Sequence, residues 1–506
     1  MHRLAFILLS AIILLPAGCG RKDNTEESAA IPAIRINETR VISAFTASFE
    51  VNAVNAVTIE YGVSEDMPEI IETGTVSPVT VTLSVGGLKE LSTYTLYARG
   101  IGPGGEKGNV TKIEFSTTKG PESIYPWESG RTAVPAFADI SLVTMGWHNY
   151  NPPIWTEERF ASHVSYDGKW LFDAFLCIDG WDPVRNLSYS LTPNRNSATQ
   201  ESWQDLMDAW LGEDGALKKL DAAISNAASS LGNPPSPRYV VMSVPDPIMF
   251  QNFGDRSSST TYWGTVEERQ LDFSNVQDQI AAYKWYIDQC RYRFSRLGLK
   301  HLELAGFYVL SEELHLSESF YRDLGLNFSA TDTWNAQYKR WETILPAVSQ
   351  YLHSCNEGLW WVPYCLAPGH RVWKELGLDM AFMQPNHYWD TSNQHPMSRS
   401  IATIKQYKMG IELEFEYSMV ADVMKDGRMG PDGSGNMIFT SADIPELRDR
   451  LREYMDAYKD AGLYGVNPIA VYSGTDAWNQ LATSSDAGDK EMFREICTFI
   501  QESPLK

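Results

Sequence analysis

Residues 302–313 read LELAGFYVLSEE, and residues 410–417 read GIELEFEY. Each is a short apolar run whose far end carries carboxylates: Glu312 and Glu313 in the first, Glu412, Glu414 and Glu416 in the second. Six further runs of the same kind flank them: ISLVTM (140–145), WLFDAFLCI (170–178), YVVMSV (239–244), LWWVPY (359–364), MAFMQ (380–384) and NPIAVYS (467–473). Apolar runs of this length, bounded by turn residues, predict buried strands. Helical patterns lie between most of them. One runs from a capping Ser274 to Gly298 and another from Ser441 to Gly462, with apolar residues at 3.6-residue spacing. Strand–helix alternation over residues 120–506 predicts a (β/α)8 TIM barrel with insertions. An open doubly wound sheet is the rival, but no GxGxxG follows the first strand.

In such a barrel, functional residues gather at the C-terminal strand ends. That rule selects Trp147 and His148 after strand one, Asp179 and Trp181 after strand two, and Asp246 after strand three. It selects Tyr308 and Glu312 on strand four, and Asn386, His387, Tyr388 and Trp389 after strand six. Strand seven adds Glu414 and Glu416, and strand eight adds Tyr472 and Trp478. Alternation on strand seven separates Ile411, Leu413 and Phe415 from Glu412, Glu414 and Glu416. The apolar set should face the outer helices and the acidic set the lumen. A surface strand with a solvated acidic face is the alternative. On strand four, Glu312 shares a face with Tyr308, although Glu312 or Glu313 could merely cap the next helix. The tryptophans could equally be stacking platforms or packing.

The chain before residue 120 is different. His2 and Arg3 lead an apolar run, Leu4–Leu15, that is short for a membrane span and reads as a secretory signal over residues 1–18. Residues 19–36 are polar and read as a tether. Residues 37–119 hold short alternating runs (ASFEV, VTIEYG, VTVTLSV, YTLYARG, KIEFSTT) that predict an all-β sandwich. The expected organisation is therefore multidomain, a sandwich followed by the barrel.

Composition narrows the partners. The net charge of −22 argues against nucleic acid and anionic surfaces. Sixteen Trp and 24 Tyr supply either a large aromatic core or stacking surfaces for sugar rings. Besides Cys19, the five cysteines are scattered without a CxxC, so neither zinc nor a disulfide framework is expected. There is no HExxH and no GxSxG, and His387 with Asp390 does not make a metal site. No cofactor and no metal are expected. The Gly-rich loop 426–436 lacks the pattern of a phosphate or calcium loop. Oligomeric state is not readable.

Three resemblances add to this reading. Ala17-Gly18-Cys19 resembles the bacterial lipoprotein signal, with Pro16 where that family has Leu. It implies lipidation at Cys19 and anchoring in a bacterial outer membrane, exposed to the envelope or the cell surface. Leu88, Thr93, Tyr94, Tyr97 and Ala98, with the closing Ser116-Thr117-Thr118, resemble a fibronectin type III domain, which implies a spacer or partner-binding module. The barrel pattern resembles the retaining glycoside hydrolases with (β/α)8 barrels. That resemblance implies Glu312 as acid/base and Glu414 as nucleophile, with Glu416 as alternative, and a glycan as substrate. Ser311 stands where that superfamily commonly has Asn. WLFDAFL, GFYVLSEE and GIELEFEY also look like a largely uncharacterised family of secreted bacterial barrel proteins. Carboxyl groups about 5–5.5 Å apart would imply retention, and about 6.5–9.5 Å inversion. A non-catalytic glycan-binding lipoprotein, an envelope adhesion protein and a different enzyme on the same barrel are the alternatives.

Overall fold

A computed structural model describes residues 31–42, 47–64, 72–75, 80–85, 91–118, 137–144, 155–191, 195–390, 394–425, 439–474 and 476–506. Cys19 and the signal, Trp147, His148 and the Gly-rich loop lie outside the described residues. The chain divides into two compact units, residues 1–121 with 317–328, and residues 122–316 with 329–506.

Among the described residues of the first unit, seven strands form two antiparallel sheets. They are β1 (Ala33–Ile42), β2 (Ala47–Val54), β3 (Thr58–Ser64), β4 (Glu72–Thr75), β5 (Thr80–Val85), β6 (Thr93–Ile101) and β7 (Thr111–Ser116). One sheet has the order β1-β2-β5, the other β4-β3-β6-β7. β1 begins at Ala33, inside the stretch read as tether. Alternate residues of β2 are buried. Phe49 and Val51 from the first sheet share one core with Ile59, Leu96 and Phe115 from the second. The rings of Phe49 and Phe115 meet edge to face at 5.0 Å, and Tyr94 stacks on Phe115 at 5.8 Å.

In the second unit, eight parallel strands close a barrel in chain order. They are β8 (Asp139–Thr144), β9 (Ala174–Ile178), β10 (Arg238–Val244), β11 (Leu302–Val309), β12 (Gly358–Trp361), β13 (Met380–Met383), β14 (Gly410–Glu414) and β15 (Ile469–Tyr472). Each coincides with an expected run, with two corrections. Lys169–Trp170 is not part of β9 but folds back on Ser165–Tyr166. The Asp167-Gly168 turn between them has positive φ at both residues, which suits a tight hairpin. β14 stops at Glu414, short of the expected end at Tyr417.

The long helices around the barrel are α1 (Glu157–Val164), α2 (Gln200–Leu211), α3 (Ala216–Leu231), α4 (Val276–Arg296), α5 (Trp341–Ser354), α6 (Met397–Tyr407), α7 (Ile444–Asp460) and α8 (Ala487–Gln501). The cap of α4 is Asn275, one residue after the expected Ser274, and Asp443 rather than Ser441 stands at the start of α7.

Register fixes which side chains face the lumen. Phe137, which leads into β8, lies 5.7 Å from the Trp360 ring and 6.4 Å from that of Tyr239, closing the barrel floor. Trp360 pairs with Met380 and Tyr308, and Phe382 pairs with Gly410. Side chains at paired positions share a face, and the face repeats every second residue. Tyr308, Phe382, Glu412 and Glu414 are therefore lumen-facing. Glu412 pairs with Ala470 and Glu414 with Tyr472, which adds Tyr472 to the set. The opposite face meets the helices, as where Ser141 bonds His163 of α1 at 3.0 Å. Gly306, at φ +151, sits at the register shift between β10 and β11; a Cβ there would come within 2.2 Å of the Gly358 carbonyl.

Candidate active site

β14 carries two lumen carboxyls in a dry setting. Glu414 is 0% exposed and Glu412 1%. The Glu414 Oε2 accepts from the Asn386 backbone N–H at 2.7 Å and from the Tyr454 hydroxyl at 2.8 Å. Its Oε1 is buried, and the Gln384 side chain also pulls the carboxyl toward ionisation. Burial pushes Glu414 up to about 8, against the pull of those hydrogen bonds. Glu412 lies one pleat deeper, and its Oε2 has no partner among the described residues. Burial first, then the carboxyls of Glu414 and Glu312, raise it well above the usual range, so it keeps its proton.

The local chain explains this arrangement. The β13–β14 ladder pairs Phe382 with Gly410 and Met383 with Ile411, and then stops. Pro385 and Asn386 turn the strand-six exit, with Asn386 at φ +58, a left-handed position that Asn tolerates. That turn aims the Asn386 N–H at Glu414. Two tyrosines of α7 stand at the gap in the ladder. Tyr454 takes the Tyr388 N–H at 2.9 Å while donating to Glu414. Tyr458 donates to the Glu412 carbonyl at 2.9 Å.

The end of β11 is wetter. Glu312 is partly buried just beyond the strand. Burial, then the neighbouring Glu313 carboxylate, pushes it up to about 7. Glu313 has 41% of its side chain exposed. His315, at 2.7 Å from its Oε2, holds it below the usual range, and the Tyr364 hydroxyl also donates to it. Adjacent glutamates are thus split, one favouring the acid and one the carboxylate. Between them the barrel contributes two phenols. Tyr308 is raised by burial and then by Glu312 and Glu412. Tyr472 is raised by burial and then by Glu416, Glu312, Glu412 and Glu414. Carboxyls of strands four and seven thus act on the same two phenols.

Residues 139–429, which begin at the first residue of β8 and run past β14, match the family model described as a domain of unknown function, DUF4855. The chain belongs to this family. No curated protein matches it. Among solved structures, the Bacteroides ovatus GH5 xyloglucanase in complex with a XXXG heptasaccharide is similar over 92% of this chain and 100% of its own, at 8% identity and a TM-score of 0.37. Bacteroides uniformis beta-glucuronidase 2, covalently bound to cyclophellitol-6-carboxylate aziridine, is similar over 89% of this chain but 46% of its own, at 8% identity and a TM-score of 0.30. The Lactobacillus rhamnosus beta-glucuronidase is similar over 87% and 62%, at 9% identity and a TM-score of 0.29. At such scores these likenesses say nothing about the reaction.

Several expected site residues prove to be packing in this DUF4855 barrel. Asp179 is buried against α2 and accepts from the Trp210 indole at 2.9 Å. Trp478 is 1% exposed, packs on His163, Phe172 and Phe493, and donates to the Ser162 carbonyl. Tyr388 is fully buried, its hydroxyl near Ser418 at 2.9 Å. Asp246 is buried and paired with Lys339 at 2.8 Å, and it accepts from Ser311 at 2.7 Å. Lys339 donates to Ser311 as well. Ser311, in the place expected for a sugar-binding Asn, is therefore held by a buried ion pair. Glu416 lies past the end of β14, at the cap of the turn Tyr417–Met419, so strand alternation does not reach it. His387 is drawn to Glu453 of α7 at 2.7 Å. Trp181 has the Arg195 guanidinium 4.0 Å above its ring. Trp389 is half-buried and its ring lies 6.2 Å from that of Tyr472, at the lumen mouth.

Reading the strands missed Tyr454, Tyr458 and Lys339. The first two sit on a helix, and the third on the short helix Ala336–Lys339 in the excursion after β11. The spacing of Tyr454 and Tyr458, four apart on one helix face, was the available signal.

Proposed function

We propose that the protein is a glycoside hydrolase of the retaining type, with Glu414 as nucleophile and Glu312 as acid/base. The observation that carries this reading is the asymmetry of Glu414. Oε2 is held by the Asn386 N–H and the Tyr454 hydroxyl, and neither of these engages Oε1. In this reading Oε1 is the oxygen that attacks the anomeric carbon. Glu312, kept protonated by burial and by Glu313, gives its proton to the leaving glycosidic oxygen as that bond breaks. Water then attacks the glycosyl ester, loses a proton to Glu312, and releases Glu414. In this reading Tyr472, whose hydroxyl feels all these carboxyls, donates to charge developing on the ester oxygen. Glu412 stays neutral beneath them.

The same proposal takes Cys19 as a lipid anchor to the cell envelope and residues 37–119 as a fibronectin type III-like spacer that holds the barrel away from the membrane. A second reading is a non-catalytic glycan-binding protein. The complete burial of Glu414 and the engagement of Ser311 by Lys339 and Asp246 favour it.

The test is hydrolysis of a broad panel of glycans and aryl glycosides by the full chain and by its Glu414→Gln variant. Cleavage by the parent that vanishes in the variant supports the two-carboxylate enzyme. Glycan binding by both proteins without cleavage by either supports the second reading.

A further inference from the structure

Of the described tryptophans, Trp334 alone is strongly exposed, at 51%. It follows the short helix Ala330–Thr333, in the excursion after β11. Its edge is fixed: the indole Nε1 lies 3.0 Å from the His315 Nε2. That nitrogen lies 2.7 Å from the Glu313 Oε2, and Glu313 adjoins Glu312. The His315 ring stands at 85° to the indole, and the Phe253 ring at 89° and 6.0 Å. Phe253 in turn packs on Tyr338 at 6.4 Å, and Arg256 covers the Tyr338 ring. Because the N–H bond lies in the indole plane, His315 occupies the edge of Trp334 and leaves a ring face open.

An exposed indole with a fixed edge and an open face is an ordered apolar surface. A pyranose offers the matching surface, a C–H face bordered by hydroxyls, and such rings pack well on aromatic faces. The neighbouring charge selects among sugars. Glu313 is held as a carboxylate beside the platform, so an anionic sugar would be repelled. We propose that Trp334, backed by Phe253, is the stacking platform for a neutral sugar residue on the leaving-group side of the cleaved bond. This rests on the glycosidase reading, because that side is defined by Glu312, which protonates the leaving oxygen. Through His315 and Glu313 the platform is linked to the acid itself.

The experiment titrates the full chain carrying Glu414→Gln, calorimetrically, with β-linked hexasaccharides of glucose, xylose, mannose and N-acetylglucosamine. Adding Trp334→Ala is expected to weaken the best-bound hexasaccharide roughly tenfold, while Trp334→Phe retains most of the affinity. Near-UV circular dichroism of each variant checks that the fold is kept. Equal affinity with and without Trp334 overturns the platform and leaves the glycosidase reading standing. Absence of binding to every probe overturns both. With Glu414 restored, Trp334→Ala is expected to lower kcat/KM on the best-bound hexasaccharide but not on the glycosyl fluoride of the same sugar, which has no leaving-group sugar to stack. An equal loss on both substrates overturns the placement on that side. Binding that depends on Trp334 without any turnover by the parent defeats the enzyme and, with it, the placement on the leaving-group side.

Discussion

The ends of strands four and seven both present paired glutamates to one lumen, yet they solve the burial of charge differently. At strand four the exposed Glu313 takes the negative charge, stabilised by His315 and Tyr364, and Glu312 beside it is left the proton. At strand seven both carboxyls are dry, and the pair is stacked in depth. Glu412 is neutral below, and Glu414 above is drawn toward ionisation by Asn386 and Tyr454 while burial opposes it. Residue type is the same at both ends. Burial raises both Glu312 and Glu414, and Glu414 further, so the proposed division of acid and nucleophile rests on their positions on strands four and seven rather than on which carboxyl holds its proton more tightly.

The largest expected effect breaks the comparison at strand four. Glu312→Gln should lower turnover by about 10²–10⁴-fold, the usual contribution of a general acid. Glu313→Gln should cost far less turnover and should lower the pKa of Glu312 by removing its charged neighbour. Measured kcat/KM against pH separates the two. Equal losses would erase the distinction between the glutamates.

Next in size is a structural break behind strand four. Lys339→Met leaves Asp246 charged and buried, and should destabilise the fold by about 3–5 kcal/mol in urea titration. A change within error would mean that the Asp246–Lys339 pair does not hold the fold.

The pH dependence sharpens the comparison. The productive form needs Glu414 ionised and Glu312 protonated. With Glu414 at about 8 and Glu312 at about 7, that form is most populated between the two values, so kcat/KM should peak between pH 7 and 8. Stability should move the other way. Both groups bind protons more tightly in the folded state than at their ordinary 4.5, so their contribution is full below that value. It is lost as pH rises through 7 and 8. Glu414→Gln should flatten part of that decline, and an unchanged slope would show that Glu414 does not titrate there.

The smallest effect tests the donors of strand seven. Tyr454→Phe removes one hydrogen bond and should cost about 1 kcal/mol. It should also move the optimum of kcat/KM upward, because the hydroxyl holds Glu414 down. A stability loss with no shift of optimum would make Tyr454 a packing residue only.

Much of the barrel was legible because its strands are short, apolar and followed by helices with ordinary starts and glycine stops. Even so, the exit of strand seven was misjudged. IELEFEY keeps its alternation in sequence after the ladder ends, and nothing in residues 411–417 marks Glu414 as the last paired position. Asp179 and Trp478 were selected by their place after a strand. Place alone does not say whether a side chain turns inward or toward a helix, and Trp210 and the His163–Phe172–Phe493 cluster decided that. Lys339 and Trp334 lie far along the excursion after strand four, where no periodicity ties them to the mouth. Only the folded loop brings them there.

The two phenols of α7 that stand at the gap between strands six and seven have a wider consequence. A sheet rung joins residues of neighbouring strands and survives almost any substitution, because backbone makes it. Here Tyr454 does that work with a side chain, joining the Tyr388 N–H to the Glu414 carboxyl, while Tyr458 holds the Glu412 carbonyl. The barrel seam is therefore written in the sequence of a helix and exposed to mutation, unlike the rest of the wall. Related chains built on this plan should keep hydroxyl-bearing aromatics four apart after the seventh strand. A relative that has lost them would need a longer sixth strand to close the gap, and its carboxyl pair would sit in a different field.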